Sequence, residues 1–152
     1  MIHYRRATLA DIELMQKLVA PEVESGLILA RSDDEIATNI RSYTLAFSEE
    51  NLVGFVALHI HTPYLAEVRS LIVSDAYRGH GVGTIFIEKT LEEGRVLGLQ
   101  KVLSLTYQPK LFERIGFVEI PKESLPEHKI WADCIKCKHF PVCNEVSLII
   151  NL

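Results

Sequence analysis

Several things are missing from this 152-residue chain, and each absence removes a class of protein. No apolar run approaches the roughly 20 residues a membrane-spanning helix requires. The opening Met1-Ile2-His3-Tyr4-Arg5-Arg6 lacks the apolar segment of a secretory signal, so a cytoplasmic protein without membrane association is expected. A basic excess is also missing: 16 Lys and Arg stand against 20 Asp and Glu, for a formal net charge of −4. That argues against general nucleic-acid binding, which needs a basic surface. Three cysteines are an odd number and imply no complete disulfide framework. There are no internal repeats, no low-complexity tracts and no Gly- or Ser-rich linker, so residues 1–152 are expected to form one domain. Hydrophobic residues at 48% and charged residues at 24% suffice for a real core.

Only eight glycines are present, yet three of them, Gly79, Gly81 and Gly83, fall within five positions. They close the stretch Ala66–Gly83, around which the chain is organised. Its first half, with Val68, Leu71, Ile72 and Val73, reads as a strand. After the glycines an amphipathic helix begins. A strand, a glycine-rich turn and a helix N-terminus form an anion site, because outward-pointing amides and the helix dipole favour negative charge. A phosphate-bearing ligand is therefore expected. The Gly-Lys-Ser/Thr ending of a Walker loop is absent, and Thr84 stands where a dinucleotide fingerprint needs its third glycine. What remains is Arg78-x-x-Gly81-x-Gly83.

The rest of the chain reads as alternating elements. Ile2–Arg6 opens as a strand, and Thr8-x-x-Asp11 caps a helix carrying Ile12, Met15, Leu18 and Val19. Pro21 predicts its end near Ala20. Leu27-Ile28-Leu29-Ala30 is a short apolar stretch ending at Arg31-Ser32. Asp33-Asp34-Glu35 opens a second helix, reaching about Arg41. Tyr43, Leu45 and Phe47 alternate, as do Val53, Phe55 and Ala57, around a polar turn: a β-hairpin. The helix after the glycine loop is expected over about Gly83–Leu97, with Ile87, Leu91, Gly94 and Leu97 inward and Gly98 as C-cap. Lys101–Tyr107 is a strand, Pro109–Ile115 a short helix, Phe117–Ile120 a strand and Val146–Ile150 a last one. This is mixed α/β around one sheet.

The order of elements, together with Arg78-x-x-Gly81-x-Gly83 after an apolar strand, resembles the GNAT acetyltransferases, whose coenzyme signature is Arg/Gln-x-x-Gly-x-Gly/Ala. Leu111-Phe112-Glu113-Arg114-Ile115-Gly116-Phe117 looks like the family's closing motif. Within the family the chain is most similar to the acetyltransferase domain of N-acetylglutamate synthases. Leu29-Ala30-Arg31-Ser32, Ala66–Leu71, Leu103–Thr106 and Lys129–Cys137 carry that likeness. The resemblance implies a mixed, mostly antiparallel sheet flanked by helices, and acetyl-coenzyme A as co-substrate with no metal required. Acetyl would go to the α-amino group of an amino acid, most closely L-glutamate, at the entry to arginine biosynthesis. It also implies a catalytic domain standing without the amino-acid-kinase-like domain of many such synthases; a homodimer is compatible with it. In the family the amides of the loop hold the diphosphate, here Arg78, Gly79, His80, Gly81, Val82, Gly83 and Thr84. The backbone at Leu71, Ile72 and Val73 would hold pantetheine and offer an oxyanion N–H.

Glu67 is the candidate general base, four positions before Leu71 and so on the same face of a regular strand. The alternative is a structural ion pair with Arg69. A dicarboxylate calls for cationic partners, and the arginine fork matches a carboxylate in bidentate fashion. Arg31, Arg69 and Lys136 are the candidates; otherwise they are a helix-start arginine, the partner of Glu67 and a solvated lysine. Phe112 stands where many GNAT enzymes carry a proton-donating tyrosine, so the general acid is unassigned, and Tyr107 is read as completing a strand. Cys134-x-x-Cys137-x-His139-x-x-x-Cys143 supplies either a zinc site or reduced cysteines near the substrate. The other histidines, among them His59 and His61, read as scattered. Competing functions are a GNAT enzyme of a polyamine, drug or protein N-terminus, a non-catalytic acetyl-coenzyme A sensor, and a zinc-stabilised interaction domain.

Overall fold

A computed structural model describes residues 1–124 and 145–152. In chain order the elements are β1 (Ile2–Arg6), α1 (Ile12–Glu24), α2 (Asp33–Thr38), β2 (Tyr43–Ser48), β3 (Asn51–Ile60) and β4 (Leu65–Val73). They continue with α3 (Val82–Leu97), β5 (Lys101–Thr106), α4 (Pro109–Glu113), β6 (Val118–Glu119) and β7 (Val146–Asn151). Among the described residues seven strands form one sheet in the order β1-β2-β3-β4-β5-β7-β6. Only β4 and β5 pair in parallel; every other pairing is antiparallel. The mixed, mostly antiparallel sheet flanked by helices is thus observed.

Each face of the sheet buries its own core. On one face Val82, Phe86, Ile87 and Leu91 of α3 pack on Val56, Leu58, Ala66, Val68 and Val102. On the other, Met15 and Val19 of α1 and Ile36 of α2 pack on Tyr43, Leu45, Phe55, Ala57 and Ile72. Side chains such as Phe86 and Met15, both 0% exposed, each contribute about 1.5–3 kcal/mol of burial.

The helices depart from expectation in three places. α1 runs through Pro21 to Glu24, since a proline this late removes one backbone bond while Val23 still packs on the core. α2 stops at Thr38, where the Asn39 side chain donates to the Glu35 carbonyl (2.9 Å) and the chain tightens into a 3-10 turn over Ile40–Ser42. In α3, Ile87, Leu91 and Gly94 are buried as expected, but Leu97 is 54% exposed. Gly98 (φ +86°) ends the helix in a Schellman turn: its N–H reaches Arg95 O and the Leu99 N–H reaches Gly94 O. The turn sends Leu99, not Leu97, into the core. The strand after it ends at Thr106, leaving Tyr107 outside; α4 and β6 are likewise shorter than expected.

β4 carries a bulge that the sequence does not announce. Ala57 pairs with Arg69 and Phe55 with Ile72, so two steps on β3 face three on β4. Ser70 sits at φ +59°, a costly conformation for a residue with a Cβ. The extra residue reverses which way the following side chains point. Ala66 and Val68 join the α3 core, and so do Leu71 and Val73, while Ile72 joins the opposite one. Glu67 and Leu71 therefore face opposite sides of the sheet, correcting the regular-strand expectation.

Candidate active site

Two strands parting create the site. β4 and β5 pair only from Leu65/Lys101 to Val68/Ser104. Beyond that point β4 stays with β3 as far as Val73, and β5 stays with β7 as far as Thr106. The gap opens into a cleft of about 660 Å³, a size suited to a small-molecule ligand. The chain after α1, the start of α3 and α4 complete its walls.

The glycine loop forms one end. Gly79 and Gly81 adopt φ +84° and +80°, and a Cβ on either would meet no atom within 4 Å. Backbone conformation rather than crowding thus requires glycine there, and the space over the loop is open. Gly81 is the N-cap of α3, and no side chain among the described residues caps it. The first amides of a helix lack intrahelical acceptors. Val82, Gly83 and Thr84, at the open end of the dipole, line the cleft together with Arg78 and Gly79. Arg78 also ties the loop to its surroundings, through Val73 O (3.1 Å), Asp75 (3.1 Å) and Glu22 (3.3 Å). His80 is exposed and not part of the cleft wall. Leu71, Ile72 and Val73 line it on the β4 side.

Glu67, 2% exposed, lines the middle of the cleft. Its Oε1 lies 2.8 Å from His61 Nε2. His59 is directly opposite Glu67 across the β3–β4 register, and its ring packs edge-on to His61 at 4.9 Å. Two of the histidines expected to be scattered thus meet at Glu67, His61 by contact and His59 by register; among the described residues no group of three forms a metal site. Arg69 lies two residues along the same face.

Arg31 and Arg69 reach the same cleft from separate segments. Both act on Tyr43, which is in register with Ala57, itself in register with Arg69. Burial raises the Tyr43 hydroxyl pKa, while the two guanidiniums and a hydrogen bond with Ser70 pull against the rise. Arg31 is held by Glu35 at 2.8 Å and is 11% exposed. Lys136 and the Cys134–Cys143 cluster lie outside the described residues.

The sequence matches the Acetyltransferase (GNAT) family over residues 10–117. It is 33% identical over 148 residues to an uncharacterized N-acetyltransferase of Chlorobaculum tepidum, covering 97% of this chain and 95% of that one. The chain belongs to the GNAT acetyltransferase family. An amino-acid acetyltransferase of Mycobacterium tuberculosis is 32% identical over 120 residues, covering 76% of this chain and 68% of that protein. Among solved structures, N-acetylglutamate synthase from Neisseria gonorrhoeae, complexed with coenzyme A and N-acetyl-glutamate, superposes with a TM-score of 0.88 at 23% identity. That match covers all of this chain and 35% of the synthase. A Mycobacterium tuberculosis protein in complex with CoA gives a TM-score of 0.83 at 23% identity, over 99% of both chains.

In this GNAT protein Phe112 is 2% exposed and packs edge-on to Phe117 at 5.1 Å, offering hydrocarbon where many relatives carry a hydroxyl. The cleft holds a different buried hydroxyl, inside the Leu103–Thr106 segment but given no role by the sequence. Ser104 is 1% exposed, its Oγ has no hydrogen-bond partner among the described residues, and it sits in the last β4–β5 pair. It shares the face of Val102 and Val68, the α3 side, whereas Glu67 faces the α1 side. The parting strands thus put a carboxylate and a hydroxyl on opposite flanks of one opening. The available signal is position: Ser104 is the polar residue within an otherwise apolar Val-Leu-x-Leu run. Tyr107 also lines the cleft, with its hydroxyl buried.

Proposed function

We propose that the protein is an acetyl-coenzyme A-dependent N-acetyltransferase of an amino acid with an acidic side chain, L-glutamate foremost, acting in the cytoplasm in arginine biosynthesis. One observation carries the substrate reading: Arg31 and Arg69, from separate segments, line the same cleft as Glu67, and that cleft ends at the glycine-loop amides. The match to amino-acid acetyltransferases and the fold shared with the Neisseria synthase support it. Cationic substrates such as polyamines fit poorly, because both guanidiniums would oppose them.

The diphosphate lies on the amides of residues 79–84, and pantetheine runs into the gap beside Leu71–Val73. The thioester then sits where β4 and β5 part. Arg31 and Arg69 take the substrate carboxylates, and Glu67 removes one proton from the ammonium. Nitrogen attacks the thioester carbon, a C–N bond forms, and a β4 backbone N–H stabilises the oxyanion. Collapse breaks the C–S bond and expels the thiolate, to which the Ser104 hydroxyl donates a hydrogen bond; one of the two protons on nitrogen passes to sulfur, leaving the neutral amide and the free thiol.

Thiol release with acetyl-coenzyme A against a panel of amino acids tests this. Glutamate should exceed glutamine, and Arg69→Ala should lower kcat/KM for glutamate more than tenfold while retaining acetyl-coenzyme A binding, as loss of a buried charge partner costs about 2–5 kcal/mol. Equal turnover of glutamate, leucine and lysine would remove the substrate assignment and leave the acetyltransferase standing.

A further inference from the structure

Glu67 does not stand alone. The turn after β3 is pinned by His61 N–H to Leu65 O (2.9 Å), Thr62 N–H to Leu65 O (3.0 Å) and Leu65 N–H to Thr62 Oγ1 (3.0 Å). The turn fixes the imidazole of His61 against Glu67, with side chains 3% and 2% exposed and Nε2 2.8 Å from Oε1. A carboxylate accepts only, so Nε2 carries the proton and donates it. His59, stacked edge-on at 4.9 Å, walls the ring from the β3 side.

We propose that His61 is the positioning residue of the base: it holds Oε1 of Glu67, so that the second carboxylate oxygen is presented to the substrate amine. The inference rests on Glu67 acting as base. The physical need is plain. A carboxylate buried in a cleft loses its water, and desolvation favours the neutral acid, which cannot take a proton. A hydrogen bond to the ionised form opposes that loss, and the fixed turn holds the donor in place against Oε1. The groups facing Glu67 include His61 from the turn, His59 from β3, Arg69 from its own strand and the apolar Leu103 opposite it on β5.

The test combines His61→Phe, His61→Gln, Glu67→Gln and the His61→Phe/Glu67→Gln double variant, with glutamate and acetyl-coenzyme A. Readouts are the pH profile of kcat/KM, acetyl-coenzyme A affinity and melting temperature. Removing the donor destabilises the ionised carboxylate, so the acid limb of His61→Phe should move to higher pH by about one unit, the worth of one charge-assisted hydrogen bond. Near neutral pH kcat should fall about tenfold or more, with coenzyme affinity unchanged. His61→Gln, which keeps an N–H donor, should recover part of both. In the Glu67→Gln background the loss of His61 should add little, because the two act as one unit. A folded His61→Phe whose acid limb coincides with wild type overturns the proposal, as do losses that multiply in the double variant. Full activity of Glu67→Gln overturns the base reading instead, so the two failures are distinguishable. Should His61→Phe fail to fold, His61→Asn, whose shorter amide falls short of Glu67, takes its place: a shifted acid limb supports the proposal and an unshifted one overturns it.

Discussion

Ser104 and Ser147 offer a matched pair of perturbations. Both are buried, at 1% and 2% exposed, and neither hydroxyl has a hydrogen-bond partner among the described residues. Ser104 lines the cleft; Ser147 of β7, in register with Leu105 and so on the other face of the sheet, is not part of the cleft wall. A buried hydroxyl without a partner costs about 1–3 kcal/mol by mutational standards. Alanine removes that cost and leaves a void of one oxygen, so each Ser→Ala variant should gain roughly 1 kcal/mol. For a chain of this length that raises the melting temperature by about 2–4 °C. The two variants should differ in activity. If Ser104 donates to the thiolate, its loss should lower kcat about tenfold or more, below the roughly 10²–10³ of a strong oxyanion-hole donor because coenzyme A thiolate is a competent leaving group. Ser147→Ala should keep wild-type kcat. Calorimetry paired with thiol release measures both quantities on the same samples. A Ser104→Ala protein as active as wild type would refute the donor role, and one less stable than wild type would refute the orphaned-hydroxyl reasoning beneath it.

Two further predictions concern the coenzyme and acid stability. Acetyl-coenzyme A at a hundred times its dissociation constant should stabilise the wild type by about 2.7 kcal/mol, and Gly81→Val, forced into φ +80°, should abolish that thermal shift; an equal shift in the variant would count against the loop as the diphosphate site. Arg5 grips Asp11 through two bonds of 2.8 and 2.9 Å, Thr8 N–H adds a third at 2.7 Å, and together they lower the Asp11 pKa to about 2. A depressed carboxylate contributes stability above its unfolded pKa and loses it as pH falls through the folded one, so about 1–2 kcal/mol should disappear between pH 4 and 2. Asp11→Asn should show a shallower loss over that window in urea titrations, and an identical acid slope would exclude this pair as the source.

Periodicity and punctuation carried most of the architecture. The hairpin of β2 and β3 follows from Tyr43, Leu45 and Phe47 alternating against Val53, Phe55 and Ala57, and the C-cap of α3 follows from Gly98. Both are local: a two-residue period or a positive φ needs no knowledge of distant residues. The glycine loop was legible for the same reason, since three glycines between a strand and a helix constrain the backbone wherever they occur. Expectation failed where a local tendency was overridden from outside. Pro21 stays helical because Val23 has a core to pack on, and Leu97 is displaced from the interior by the turn that delivers Leu99.

The candidate site divides the same way. Residue types named Glu67, Arg31 and Arg69, because a base and guanidinium forks have recognisable chemistry. What surrounds them is tertiary. A single extra residue at Ser70 turns Leu71 away from Glu67, and no side-chain pattern marks a bulge whose cost is met by pairing on the neighbouring strand. His61 meets Glu67 only because β3 and β4 are in register and the turn between them is tight. The buried hydroxyl of Ser104 gains meaning only where β4 and β5 stop pairing. Sequence determined the elements, the phosphate loop and the chemical types, since these depend on the backbone within a few residues. The third dimension decided which of them meet, because strand register and the point where two strands part are set by packing across the whole sheet.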